Sequence, residues 1–167
     1  MQNWLRTKVK NYYYPEQTLV MGILNVTPDS FSDGGKYIDK EKAIQQAKKM
    51  EAEGAAIIDI GGESTRPGHT PTSEEEELRR VVPVVEKLVK EINIPISVDT
   101  SKAMVAKHAM EAGASIINDI WGAKKEPKIA EVAASCDVPI ILMHNRKNPS
   151  YHALMDDILS DLKESIK

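Results

Sequence analysis

The sequence predicts an α/β protein built on a parallel sheet. Two observations carry this: five short runs rich in Ile and Val with almost no polar interruption, and amphipathic helical patterns in the intervals between them. Continuous apolar runs bounded by Gly, Pro or Asp mark strands covered on both faces, and strand–helix alternation implies right-handed crossovers. Strands are expected over 18–24, 55–60, 94–98, 115–120 and 138–143.

The helices follow in order. Asp39 is expected to cap a helix whose Ala43, Ile44, Ala47 and Met50 face inward and which Gly54 stops. Ser73 and Glu76 form a capping box, followed by an apolar stripe of Leu78, Val81, Val82, Val85, Leu88, Val89 and Ile92. Pro83 interrupts that stripe and should kink or divide the helix. Ser101 opens a helix running to Gly113, Pro127 sits at the start of a short one, and Leu154, Ile158, Leu159, Leu162 and Ile166 form the last stripe. This gives five βα units in a single domain over 1–167, with 1–17 as an N-terminal segment. Residues 54–59 resemble 113–118. Two similar units solving one packing problem explain that likeness.

Composition narrows the class of function. The 167 residues carry 22 Lys and Arg against 25 Asp and Glu, a net charge of −3, without the basic surplus of a nucleic-acid binder. One cysteine, Cys136, excludes an internal disulfide framework and suits a reducing compartment. No apolar run approaches the ~18 residues of a membrane span, and residues 1–15 lack the apolar stretch of a secretory signal. A cytoplasmic protein with neither membrane nor nucleic acid as partner is expected.

The strands begin at 18, 55, 94, 115 and 138, so the first two intervals are much longer than the last two. The surplus lies in 25–38 and 61–72, loops leaving the carboxyl ends of strands, where ligands bind in α/β folds. Each strand ends in a polar group: Asn25, Asp59, Asp99, Asn118 with Asp119, and His144 with Asn145. Such groups cap helices when taken singly. Five in succession point to a mouth that could pair with a polar heterocycle. The segment 61–68, with its glycines, hydroxyls and Arg66, suits an anion, phosphate above all.

Two stretches carry a resemblance. Residues 21–35, MGILNVTPDSFSDGG, and residues 54–68, ending IDIGGESTRPG, resemble the two loop signatures of the dihydropteroate synthase family, within the wider pterin-binding enzymes. ISVDT at 96–100, IINDI at 116–120 and IILMH at 140–144 match that family's third to fifth strands. The resemblance implies an α/β fold of (β/α)8 TIM-barrel type, here an incomplete barrel of five units. It implies condensation of 6-hydroxymethyl-7,8-dihydropterin diphosphate with p-aminobenzoate, releasing diphosphate, with Mg²⁺ as cofactor and sulfonamides as inhibitors. Carried over by motif, Asn25 would ligate Mg²⁺ and Thr65 would contact the pterin diphosphate. Asp99 and Asn118 would bond the pterin ring, and Ile120 and Met143 would pack on its face. Phe31, Ser64, Arg66 and Pro67 would shape the p-aminobenzoate pocket. Asp99, Asn25 and Arg66 are the expected catalytic residues.

The resemblance also implies that the later strands, with a second pterin carboxylate, a pterin-binding Lys and most cationic diphosphate contacts, lie beyond Lys167. The chain alone is then expected to have little activity, with the family's homodimer doubtful for it. Some residues read differently. Arg66 could be a solvated loop residue and Phe31, the single Phe, a local packing anchor. The run 74–77 reads as a helix start favoured by the dipole, Asp59 as a bonded structural carboxylate, and His144 as structural. Two other functions compete: a flavodoxin-like binding module with strand order 2-1-3-4-5, and a pterin-dependent methyltransferase domain.

Overall fold

The computed structural model describes residues 3–27, 35–63 and 71–167, with the side chains of 35–39 left out of the description. A two-stranded antiparallel hairpin of β1 (Trp4–Arg6) and β2 (Asn11–Tyr13) precedes the main sheet. That sheet comprises β3 (Met21–Asn25), β4 (Ile57–Gly61), β5 (Ile96–Asp99), β6 (Ile116–Asp119) and β7 (Ile140–Leu142), all parallel. The helices are α1 (Gly35–Ala52), α2 (Glu74–Leu88), α3 (Ala103–Glu111), α4 (Lys128–Cys136) and α5 (Leu154–Ser165).

Strand order is β3-β4-β5-β6-β7, sequential without a crossover. This is the order of a barrel segment and excludes the 2-1-3-4-5 flavodoxin arrangement. All five expected strands form, each slightly shorter than its apolar run.

Register separates the two faces of the sheet. Leu24, Ile60, Val98, Ile117 and Ile140 occupy one row and point toward the helices. Leu24, Ile60, Val98 and Ile117 are at most 2% exposed, and burying each contributes roughly 1.5–3 kcal/mol. Ala43, Ile44 and Ala47 of α1, Val81, Val84, Val85 and Leu88 of α2, and Ala106 and Ala109 of α3 close that core. Next along the strands, the row Asn25, Gly61, Asp99, Asn118 and Ile141 points to the opposite, inner face.

Several boundaries differ from expectation. Asp39 falls inside α1, which starts at Gly35. Ser101 does not open α3: Lys102 occupies the cap position, and the Ala103 N–H donates instead to Glu126 Oε2 (3.1 Å). Ser73 does cap α2, accepting from the Glu76 N–H (3.2 Å), but Glu76 turns to Arg80 rather than completing the box. Pro83 lies within an unbroken α2, which the packing of Val81, Val84, Val85 and Leu88 holds together. Gly54 (φ +101°) and Gly113 (φ +111°) end α1 and α3 in a left-handed conformation that favours glycine.

The N-terminal hairpin has no counterpart among the expected elements. Tyr12 is 3% exposed, and its hydroxyl donates to the Ala56 carbonyl (2.6 Å), so the hairpin seals the sheet where β4 begins. Among the described residues, no helix is long and apolar enough to cross a membrane.

Candidate active site

Four strands deliver one row of groups to the carboxyl end of the sheet. Asn25, Gly61, Asp99 and Asn118 are consecutive register partners on β3, β4, β5 and β6. Gly61 leaves the space between its neighbours empty. A Cβ there would lie 3.4 Å from Asn25 Oδ1 and 3.8 Å from Asp99 Oδ2. One layer deeper, Asp59 and Ser97 share the next row, with Ile23 and Ile116 at its ends. Asn118 Nδ2 donates to Asp59 Oδ2 (3.0 Å). That bond fixes the amide, so its oxygen remains available to the mouth.

The carboxyls here are not at ease. Burial, then the charges of Asp59, Glu77, Asp119 and Glu63, raise Asp99 to about 7. Burial also raises Asp59, partly offset by the neighbouring Ser97 hydroxyl and the amide of Asn118. Ser97 lies close enough to favour the Asp59 charge, yet the pair is not well aligned. Among the described residues, Asp59 Oδ1 and Ser97 Oγ are buried without a hydrogen bond of good geometry. Asp59 is therefore only half the bonded structural carboxylate expected of it.

A cavity of about 310 Å³ opens beside Asp99. Glu63, Pro71, Glu77, Ile120, Trp121 and Asn145 are among the residues that line it. Ile120 and Asp99 line this same cavity. Met143, at the end of β7, is 44% exposed, and its N–H donates to the Asp119 carbonyl (3.1 Å).

Not every polar strand end serves the mouth. Asp119, one residue after Asn118, points the other way and accepts from the N–H groups of Trp121 (2.9 Å) and Ala123 (2.7 Å). It orders the loop after β6. His144 pairs through Nε2 with Asp161 Oδ2 (2.9 Å) on α5. Arg146 Nε donates to the same oxygen (2.6 Å), and this bond above all holds Asp161 down to about 2. These groups brace the loop after β7 against α5.

The sequence did not reveal a triad at the rim. Lys102 bonds both Glu63 and Glu77, and Glu77 is 1% exposed. Glu77 is therefore no solvated member of a helix-start cluster, as its run of four glutamates suggests. Its position, four residues after Ser73 and on the Val81 side of α2, is the signal that could have exposed it. Phe31, Ser64, Thr65, Arg66 and Pro67 lie outside the described residues.

A metal fits only in a restricted way. Among the described residues, no three His, Cys, Asp or Glu side chains gather to hold an ion. Asn25 is exposed, and its amide oxygen, facing Asp99 across Gly61, is a hard donor of the kind that Mg²⁺ would accept.

A sequential parallel sheet with amides and carboxyls on its inner row defines a barrel-type α/β protein with a polar mouth at the carboxyl end of its strands. The chain belongs to the pterin binding enzyme family, whose model matches residues 21–167. It is 63% identical over 163 residues to the dihydropteroate synthase of Bacillus subtilis, covering 98% of this chain and 57% of that protein. A Clostridium difficile dihydropteroate synthase crystallised in the presence of pteroic acid superposes with a TM-score of 0.90 at 49% identity, over 93% of this chain and 59% of that one. The Xanthomonas albilineans enzyme with 4-aminobenzoic acid gives 0.91 at 42% identity, over 99% and 60%. The chain thus spans less than two thirds of the length of these relatives.

Proposed function

We propose that this chain supplies the pterin-gripping part of a dihydropteroate synthase, joining 6-hydroxymethyl-7,8-dihydropterin diphosphate to p-aminobenzoate. The observation that carries this is the single inner row of Asn25, Gly61, Asp99 and Asn118, with Asp59 orienting Asn118 from beneath. The ring presents adjacent N–H donors and acceptors. Asp99 and the Asn118 oxygen complement the donors, and Ile120 and Met143 offer apolar contact to its face.

The reaction breaks the C–O bond to diphosphate and forms a C–N bond to the arylamine, which then loses a proton. Positive charge develops on the pterin as diphosphate leaves. The Asp99 carboxylate, held in a partly buried site, stabilises that charge. The same charge favours the ionised form of Asp99, against the burial that raises it in the free chain. Mg²⁺, held by Asn25, would neutralise the departing diphosphate when bound. Thr65 would contact that diphosphate, while Phe31, Ser64, Arg66 and Pro67 would enclose the arylamine, the place sulfonamides would compete for.

Turnover by the chain alone is expected to be low. Ile23, on the inner face beside Asp59, is 66% exposed. Water reaches a face from which a cationic intermediate must be protected. Calorimetric titration with the pterin tests the reading. Binding should occur, and Asn118→Ala should weaken it roughly tenfold or more, since one polar contact is lost and Asp59 is left unpaired. Equal binding by Asn118→Ala and the unmodified chain refutes the assignment.

A further inference from the structure

Residues 64–70 are flanked by two stems, and both are tied to α2. On the first, Gly62 presses onto the helix so closely that a Cβ would lie 2.6 Å from Val81 Cγ2 and 2.9 Å from Glu77 Cγ. Arg80 Nη1 donates to the Gly62 carbonyl (3.0 Å) and reaches Thr72 Oγ1 (3.5 Å) on the second stem. Arg80 is itself held by Glu76, at 3.0 Å from Nε. Lys102, at the corner between β5 and α3, grips Glu63 next to Gly62. Its ammonium is held from the other side by the buried Glu77. The side chains of Lys102, Glu63 and Glu77 are 16%, 18% and 1% exposed, so solvent screens this chain of charges little.

We propose that Lys102 and Arg80 are positioning residues that clamp the stems at Gly62–Glu63 and Thr72 onto α2, with Glu77 serving as the fixed anchor for Lys102. Arg80 joins the two stems to each other, and Lys102 sets the direction in which the chain leaves β4. The clamp rests on the proposed function only for its purpose, since the segment carries Ser64, Thr65, Arg66 and Pro67. Its existence is independent of any ligand.

Amide exchange followed by NMR on the ligand-free chain tests it. In Lys102→Met, amides of residues 61–63 should exchange roughly tenfold faster, as for loss of one charge-assisted bond, and in Arg80→Met those of 72–73 should do the same. Amides in β5 and β6 should keep their rates, and Lys102→Arg should restore the first stem. Glu63→Gln, which leaves the Lys102–Glu77 pair intact, should produce the same local change. Stem rates unchanged in Glu63→Gln overturn the clamp. So does uniform acceleration across the whole chain in Lys102→Met with Glu63→Gln silent, because Lys102 would then merely neutralise Glu77. Failure of pterin to bind the unmodified chain would refute the functional reading and leave the clamp standing.

Discussion

Replacing Asp99 with Asn should stabilise the fold and abolish pterin binding. In the folded chain the carboxyl titrates at about 7 against an ordinary 3.8. The folded state therefore holds a proton that the unfolded state has released between pH 4 and 7, and stability falls as pH rises through that window. At about 1.4 kcal/mol per pH unit, the cost levels off near 4 kcal/mol above pH 7. That is a ceiling, because part of it is repulsion from Asp59, Glu77, Asp119 and Glu63, which can relax. The amide introduced by Asp99→Asn carries no charge and escapes the cost. Urea unfolding of both chains from pH 4 to 8 should give coincident midpoints at pH 4 and a gap that widens up to pH 7. With a urea slope of about 1–3 kcal/mol per molar, the gap at pH 8 should be on the order of 1–2 M. Parallel curves across pH 4–7 would refute the reasoning, since Asp99 would then be ionised in the fold at no cost.

Other outcomes follow from single contacts. Tyr12→Phe removes the hydroxyl bonded to Ala56 at 2.6 Å and should cost about 1–2 kcal/mol in urea unfolding. Gly62→Ala places a methyl 2.6 Å from Val81 Cγ2, and thermal unfolding should show a loss of about 1–3 kcal/mol from the forced repacking. Asp161, held down to about 2 by Arg146, His144 and Lys124, contributes stability above its ordinary 3.8 that is lost as pH falls toward 2. Asp161→Asn should therefore flatten the acid limb of the stability curve between pH 4 and 2, followed by circular dichroism.

The sheet was legible because its helix face is buried and its inner rows still draw on Ile. Leu24, Ile60, Val98 and Ile117 had to be apolar, and uninterrupted runs are what such burial writes into a sequence. The polar strand ends were equally visible, but their sorting was not. Asn118 and Asp119 are adjacent in sequence and serve opposite faces, a distinction that depends on register with β5, which no local pattern fixes. The hairpin at 4–13 is hidden from sequence because its strands are three residues each, too short for periodicity to register. Ser101 fails as a cap for a comparable reason: its rival, Glu126, is remote in sequence and adjacent only in the fold. Lys102 and Glu77 escape notice because a charged pair buried by tertiary contact looks, in sequence, like two solvated residues.

The two faces of the sheet differ in what they leave unfinished, and that difference is the strongest physical argument for where the proposed pterin would sit. On the helix face, β3 to β6 pack against apolar side chains of α1 to α3. On the inner face and its rim, Asp59 Oδ1, Ser97 Oγ and Glu77 Oε1 are buried without a well-formed hydrogen bond among the described residues, beside an Asp99 that resists ionisation. Ser115 Oγ, at the opposite end of β6, is the remaining such atom. Unpaired buried polar atoms each cost about 1–3 kcal/mol, so three within one region, next to a glycine that holds a gap open, amount to a standing destabilisation. A ligand rich in donors and acceptors removes that penalty as it binds. Bound pterin should therefore raise the unfolding midpoint of the chain and pull the Asp99 titration downward together. Stabilisation without that downward pull would mean that the ligand occupies some surface other than the Asn25–Asn118 row.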